Sequence, residues 1–211
     1  MAARLQVLAI MRYLTLALTF GLIVGFAATP VAAGAPTEQL RRHIDEVVRL
    51  LEDPALKAEP EQRRASVRKV SESVFDYKDT ARRALGRHWN ARTPQEQAEF
   101  VQLFSDLLDR AYFSKIEQYQ GEKVRYTDES IEGNEAVVKT RIVTPRGSEV
   151  PVDYRLHLAD GQWRVYDVNI EGVSLVANYR TQFGKIVQTE SYESLVQKLR
   201  ARGTSPAASP R

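Results

Sequence analysis

Apolar residues recur at three- and four-residue steps in the two ends of this chain and at every second residue in the stretch between them. That change of period separates helices from strands. Glu38–Leu51 reads as a helix with Leu40, Ile44, Val47, Val48 and Leu51 on one stripe, ended by Asp53-Pro54. Glu61–Val74 is a second helix, charged outside, with Val67, Val70 and Val74 inward. Phe75-Asp76-Tyr77 breaks the pattern, and Lys78–Trp89 is a third, shorter helix carrying Ala81, Ala84, Leu85 and Trp89. Thr93-Pro94-Gln95-Glu96 is the clearest helix start: Thr93 caps, Pro94 suits the first turn and Glu96 bonds back to the cap. From there a helix runs to about Tyr119. Phe100, Leu103, Phe104, Leu107, Leu108, Ala111, Tyr112 and Ile116 give it a wide aromatic stripe that must lie against something large.

The period then drops to two. Strands are predicted at Lys123–Glu132, Glu135–Thr144, Glu149–Ala159 and Gln162–Ile170, joined by turns at Gly133-Asn134, Pro145-Arg146-Gly147 and Asp160-Gly161. Short turns between successive strands give an antiparallel meander. Ala136, Val138, Thr140 and Ile142 share one face of the second strand, opposite Lys139 and Arg141. Val150, Val152, Tyr154, Leu156 and Leu158 share one face of the third, opposite Asp153, Arg155 and His157, so one sheet face is apolar and the other charged. The fourth strand is ambiguous, because both its parities carry apolar residues. After a turn at Glu171-Gly172, Val176, Tyr179, Phe183, Ile186 and Val187 mark a helix. A short amphipathic helix with Leu195, Val196 and Leu199 follows, and Gly203–Arg211 reads as a disordered tail. Helices, then a curved four-stranded antiparallel meander, then helices make an α+β cone. The apolar sheet face and the Phe100–Tyr112 stripe must meet, and they either fill each other or leave a cavity.

The N-terminus changes the picture of where this happens. Arg4 and Arg12 precede a run from Tyr13 to Ala28 that is almost wholly apolar, and Val31-Ala32-Ala33 supplies small residues for cleavage after Ala33. The run is about 16 residues, short of the roughly 20 that a spanning helix needs. Residues 1–33 are therefore expected to be a cleaved signal peptide, with one domain over 36–200 and the tail at 203–211. The chain has no cysteine, which excludes both a disulfide framework and a lipid-anchored cysteine; together with the signal segment this leads to the expectation of a soluble periplasmic protein. Removing 1–33 takes two basic residues and no acids, so the net charge falls from +3 to +1. Basic and acidic residues are interleaved, which argues against nucleic acid as a partner.

Reactive chemistry is sparse. His43, His88 and His157 lie on separate elements among charged neighbours and read as surface histidines, with no metal-ligand spacing. Ser174 is not in a nucleophile elbow and reads as a helix N-cap. Two carboxylates stand in apolar surroundings: Asp167, which shares strand parity with Trp163 and Val165, and Asp76, between Phe75 and Tyr77. Either is a candidate buried acid or base, or a structural carboxylate that accepts backbone hydrogen bonds.

Two blocks carry a further pattern. The first is Phe75-Asp76-Tyr77, Ala84-Leu85-Gly86, Trp89, Thr93, Gln97 and Phe100, ending with Tyr112. The second is Trp163, Val165-Tyr166-Asp167-Val168, Glu171-Gly172-Val173-Ser174-Leu175, Asn178-Tyr179-Arg180 and Phe183. Over roughly Thr37–Arg200 they resemble the MlaC-type, or toluene-tolerance, family of periplasmic phospholipid-binding proteins. The resemblance implies a nuclear-transport-factor-2-like (NTF2-like) cone with extra N-terminal helices. It also implies a phospholipid held as cargo, no cofactor and no covalent chemistry. The implied partners are an outer-membrane lipoprotein complex and an inner-membrane ABC transporter with an MCE-domain subunit, between which lipid is shuttled to maintain outer-membrane lipid asymmetry. The rival readings are an enzyme of the same cone using Asp167 or Asp76, and an exported interaction module whose cone is filled by its own side chains.

The family offers no motif for its lipid contacts, so the lining is read from shared faces. Phe104, Leu108 and Tyr112 are expected from the long helix, and Val138, Ile142, Val152, Tyr154, Leu156 and Val165 from the sheet. Trp89 and Trp163 are expected to be structural. Lys139, Arg141, Arg155 and Arg164 lie on or near the strands away from that lining, as a solvated face or a docking surface.

Overall fold

Three prolines open the first three helices of the structure, a computed structural model that describes residues 35–203. The expected signal segment and all of the expected tail except Gly203 lie outside the described residues. Helices α1 (Pro36–Glu52), α2 (Pro54–Ala58) and α3 (Pro60–Val74) each carry proline in the first turn, where a missing N–H costs nothing. The single-turn α2 is too short to leave a period in the sequence; Asp53 caps it, accepting the Ala55 N–H at 2.8 Å. Asp76 caps α4 (Tyr77–Leu85) by accepting the Asp79 N–H at 2.8 Å. The third predicted helix is in fact two pieces. Gly86 takes φ +58°, a left-handed backbone that ends the α-helix, and a 3-10 helix covers Gly86–Ala91. Helix α5 spans Pro94–Glu117 and starts with the predicted reciprocal cap: the Thr93 N–H donates to the Glu96 carboxylate at 2.7 Å, and the Glu96 N–H donates to Thr93 Oγ1 at 3.2 Å.

The sheet runs β1 (Lys123–Glu132), β2 (Glu135–Val143), β3 (Glu149–Ala159), β4 (Gln162–Ile170) and β5 (Val173–Ser174), adjacent in chain order and all antiparallel. It therefore has five strands where the period shows four. The fifth is two residues long and follows a turn in which Glu171 and Gly172 both take positive φ. Helices α6 (Leu175–Thr189) and α7 (Tyr192–Gly203) complete the chain.

Two bulges shape the meander. Tyr126 pairs with Thr140 and Asp128 with Lys139, leaving Thr127 extra on β1. Leu156 pairs with Val165 and Arg155 with Asp167, leaving Tyr166 extra on β4. The extra residue reverses the parity of β4. Trp163 and Val165 before it, and Val168 and Ile170 after it, all pair with the inward residues of β3, while Asp167 falls on the opposite face. This resolves the ambiguity of the fourth strand and corrects the placement of Asp167, which does not share a face with Trp163 and Val165.

The buried residues form two main clusters. One joins the inner sheet face to α1 and α3 through Leu40, Val70, Val74, Val138, Leu156 and Val165. The other joins α4 to α7 around Phe100, Phe104, Tyr179 and Phe183, where Phe183 meets Phe100 and Phe104, and Phe104 meets Tyr179, edge to face at 5.1–5.7 Å. Trp163 belongs to the first cluster and Trp89 to the second.

Candidate functional site

Alternation along β1–β4 and the stripes of α1, α3 and α5 aim aliphatic side chains at one another, but they do not fill the space between them. A cavity of about 490 Å³ remains. Helix α1 contributes Leu40, Ile44, Val47 and Val48; α3 contributes Val67, Val70 and Val74; the second half of α5 contributes Leu108, Tyr112 and Ile116. The sheet wall is Val124, Ile142, Val150, Val152, Tyr154, Val168 and Ile170, with Leu175 from α6. The cavity is within the roughly 300–1,000 Å³ of ligand pockets.

Its ionisable wall residues, tyrosines aside, are His43, Asp109 and Glu122. Asp109 is an ion-pair partner of Arg68 at 3.2 Å, and Arg68 also donates to Asp106 at 2.8 Å, tying α3 to α5 across the edge of the cavity. Burial pushes the Asp109 carboxyl above its ordinary value, and Arg68 only partly offsets this. Beside this pair the Tyr77 hydroxyl donates to Ser71 Oγ at 3.0 Å. Burial drives the Tyr154 phenol up to about 12, and the Tyr112 phenol likewise, so both stay neutral at physiological pH. His43 is pushed down, first by burial, and presents a neutral imidazole. The wall is thus largely apolar, with a polar cluster at Ser71, Tyr77 and Asp109, the last paired with Arg68, and with His43 and Glu122 elsewhere on it.

Of the nine residues expected to line a cavity, Leu108, Tyr112, Ile142, Val152 and Tyr154 stand at this wall. The other four do not. Phe104 is packed in the aromatic cluster against Tyr179 and Phe183. Val138, Leu156 and Val165 are fully buried in the sheet-side core. They are on the expected face, but they pack into the sheet-side core with Leu40, Val70 and Val74, and the backbone of Phe75 bridges to Val165 there. Parity tells which side a residue faces, not how far along the strand the covering segment reaches. The walls from α1 and α3 are absent from the sequence-based set. Their stripes were legible, but nothing local says which stripe bounds a void.

The carboxylates have structural partners. Asp167 Oδ2 accepts the Ser174 hydroxyl at 2.6 Å and Oδ1 accepts the Val176 N–H at 3.0 Å, at the N-terminus of α6. Ser174 itself caps α6, accepting the Ala177 N–H at 3.0 Å. Besides capping α4, Asp76 meets His157 Nε2 at 3.0 Å. Neither Asp76 nor Asp167 lines the 490 Å³ cavity. The surface reading of the histidines needs correction in two cases: His157 is wedged between Asp76 and Asp79, and His43 is at the cavity wall. Among the described residues no group of His, Cys, Asp and Glu is arranged to hold a metal ion. On the polar sheet face Lys139 pairs with Asp128 at 2.9 Å and Arg164 donates to the Glu72 carbonyl at 3.2 Å, while Arg141 and Arg155 are exposed.

Fold and cavity together define an α+β cone of the NTF2-like kind, hollow between sheet and helices. The chain belongs to the MlaC protein family, whose pattern it matches over residues 41–201. It is 20% identical to the intermembrane phospholipid transport system binding protein MlaC of Haemophilus influenzae, an alignment covering 72% of this chain and 73% of that one. It is 25% identical to the toluene tolerance protein ttg2D of Pseudomonas putida, covering 80% and 81% of the two chains. Among solved structures, a phospholipid-binding protein from Ralstonia solanacearum in complex with a phospholipid superposes with a TM-score of 0.74 at 27% identity, over 81% of this chain and 97% of that one.

Proposed function

We propose that this protein is a periplasmic phospholipid carrier. The observation that carries the reading is the apolar cavity of about 490 Å³, with an inner sheet face for one wall and three amphipathic helices for the other. Each methylene kept from water is worth about 0.8 kcal/mol. A two-chain lipid with about 30 of them is disfavoured in water by roughly 20 kcal/mol or more, so it crosses an aqueous compartment only with its tails enclosed. The head group needs no such shelter, which fits a wall without a cluster of basic residues.

In this reading residues 1–33 direct export and are removed, residues 36–200 form the lipid-binding domain, and 203–211 are a tail. Leu108, Tyr112, Ile142, Val152 and Tyr154 touch the acyl chains. The carrier shuttles lipid between an outer-membrane lipoprotein complex and an inner-membrane ABC transporter with an MCE-domain subunit, and does no covalent chemistry. The complex of the Ralstonia solanacearum protein with a phospholipid supports the cargo. The structural work done by Asp76 and Asp167 removes the observation that favoured an enzyme. Native mass spectrometry of protein purified from the periplasm tests the proposal: a co-purified diacyl lipid is expected, and protein that is always empty overturns it.

A further inference from the structure

Charge is unevenly spread over this molecule. Residues 35–203 hold 27 basic and 27 acidic side chains, so they are neutral overall with histidine uncharged. Seven of the basic residues lie on α4, on the 3-10 helix with Arg92 behind it, and on α6, in company with a single acid, Asp79. These segments therefore carry +6 and the remainder −6.

The segments adjoin. Helix α6 packs on α4 and on the 3-10 helix. The stem of Arg180 crosses Gly86 so closely that a Cβ there would stand 3.2 Å from Arg180 Cδ. Arg87 and Arg180 thus flank one glycine, and His88 lies beside Arg87 at 3.4 Å. Asp79 is buried and paired with both Arg82 and Arg83; Arg83 also reaches Glu135 at 3.7 Å and Arg92 pairs with Glu96 at 3.3 Å, so the cations without a carboxylate partner are the remaining four. Among the described residues no carboxylate is in ion-pair reach of Lys78, Arg87, Arg180 or Lys185, and all four are exposed. His88 is pushed down by burial and then by Arg87 and Arg92, as expected where positive charges face one another.

We infer that the face built by α4, the 3-10 helix and α6 docks a carboxylate-rich surface of another protein. Unpaired guanidiniums are suited to paired hydrogen bonds with carboxylates. A membrane surface is the poorer fit, since basic faces that bind lipid also carry large apolar side chains to insert. The exposed large apolar side chains of the described residues are Ile116, Ile131 and Val173, and none is on these three elements. Neither Arg87 nor Arg180 lines the cavity, so docking here is separable from whatever the cavity holds. The inference rests on charge placement and does not depend on the lipid-carrier reading.

The test compares Arg87→Glu/Arg180→Glu with Arg141→Glu/Arg155→Glu, which makes the same change of net charge on the sheet face. Two probes are used: immobilised poly-L-glutamate, and phosphatidylcholine vesicles with and without phosphatidylglycerol. The wild type is expected to bind poly-L-glutamate in a salt-sensitive way. The helix-face variant should lose about tenfold in affinity and the sheet-face variant no more than about twofold. Arg87→Gln and Arg180→Gln should each show a smaller loss of the same sign, which guards against misfolding of the double variant. Equal losses in both double variants, no binding by the wild type, or stronger binding to the anionic vesicles would overturn the proposal. The lipid content of each variant, read by mass spectrometry, reports on the cavity separately.

Discussion

Asp167 accepts a hydrogen bond from the Ser174 hydroxyl at 2.6 Å, across the turn that carries the chain from β4 into α6. The same carboxylate accepts the Val176 N–H. Ser174 in turn accepts from Ala177, so two residues fasten the first turn of α6 to the last long strand. The bulge at Tyr166 makes this possible by turning Asp167 away from the inner face.

Loss of this carboxylate leaves a hydroxyl and a buried N–H without a partner. Asp167→Ala is expected to lower stability by about 1–3 kcal/mol, and Asp167→Asn by less, because the amide oxygen still accepts. Urea unfolding measures both. Lipid bound per folded molecule should stay at the wild-type level; a selective loss of bound lipid in a stable Asp167→Asn protein would give Asp167 a role at the cavity.

Cavity wall and packed core are separated by one pair of substitutions. Val152 faces the void, so Val152→Trp fills space and should exclude lipid while the protein stays folded. Val138 has the same orientation on β2 but no void beside it, so Val138→Trp should overpack the core at a cost of about 1–3 kcal/mol. Lipid content by mass spectrometry and thermal melting together give the answer. A full lipid load in Val152→Trp contradicts the wall assignment.

Trp163 packs in the sheet-side cluster and its backbone N–H donates to Gln39 at 2.7 Å, joining β4 to α1. Trp163→Ala should cost on the order of 3–5 kcal/mol, as large-to-small changes in cores do. An unchanged melting temperature would mean that the indole contributes nothing to packing.

Acid should weaken the ion pairs that Asp79 makes within α4. Burial pushes the Asp79 carboxyl up, but hydrogen bonds from Arg83 and Arg82 outweigh it and hold the group below its ordinary value. A carboxylate lowered on folding stabilises the protein above its unfolded pKa, about 4, and loses that contribution as pH falls through the folded value. Wild type should therefore exceed Asp79→Asn in stability at pH 7, with the gap closing below about pH 4. A gap that stays constant from pH 7 to pH 3 would show that Asp79 acts through shape and not charge.

Local chemistry determined much of this protein. The Thr93-Glu96 cap, the helical stripes, the alternation of β2 and β3 and the N-cap role of Ser174 are set by neighbours a few residues apart, and all appear in the structure as the sequence implies. The family blocks added the hollow cone, because the spacing of Trp, Gly, Asn, Tyr and Arg along the chain is itself a local record. Three things depended on tertiary structure. The first is the register of β4: a bulge is a relation between two strands, and one extra residue reversed the face of Asp167. The second is the extent of the void: Val138 and Val152 have like patterns, but Val138 is enclosed in the sheet-side core while Val152 borders the cavity. The third is the clustering of charge, since Gly86 and Arg180 are 94 residues apart and only the packing of α6 on α4 brings Arg87 and Arg180 to the same glycine. A sequence fixes each residue's preferences, but where several elements converge the packed chain decides which preference meets which.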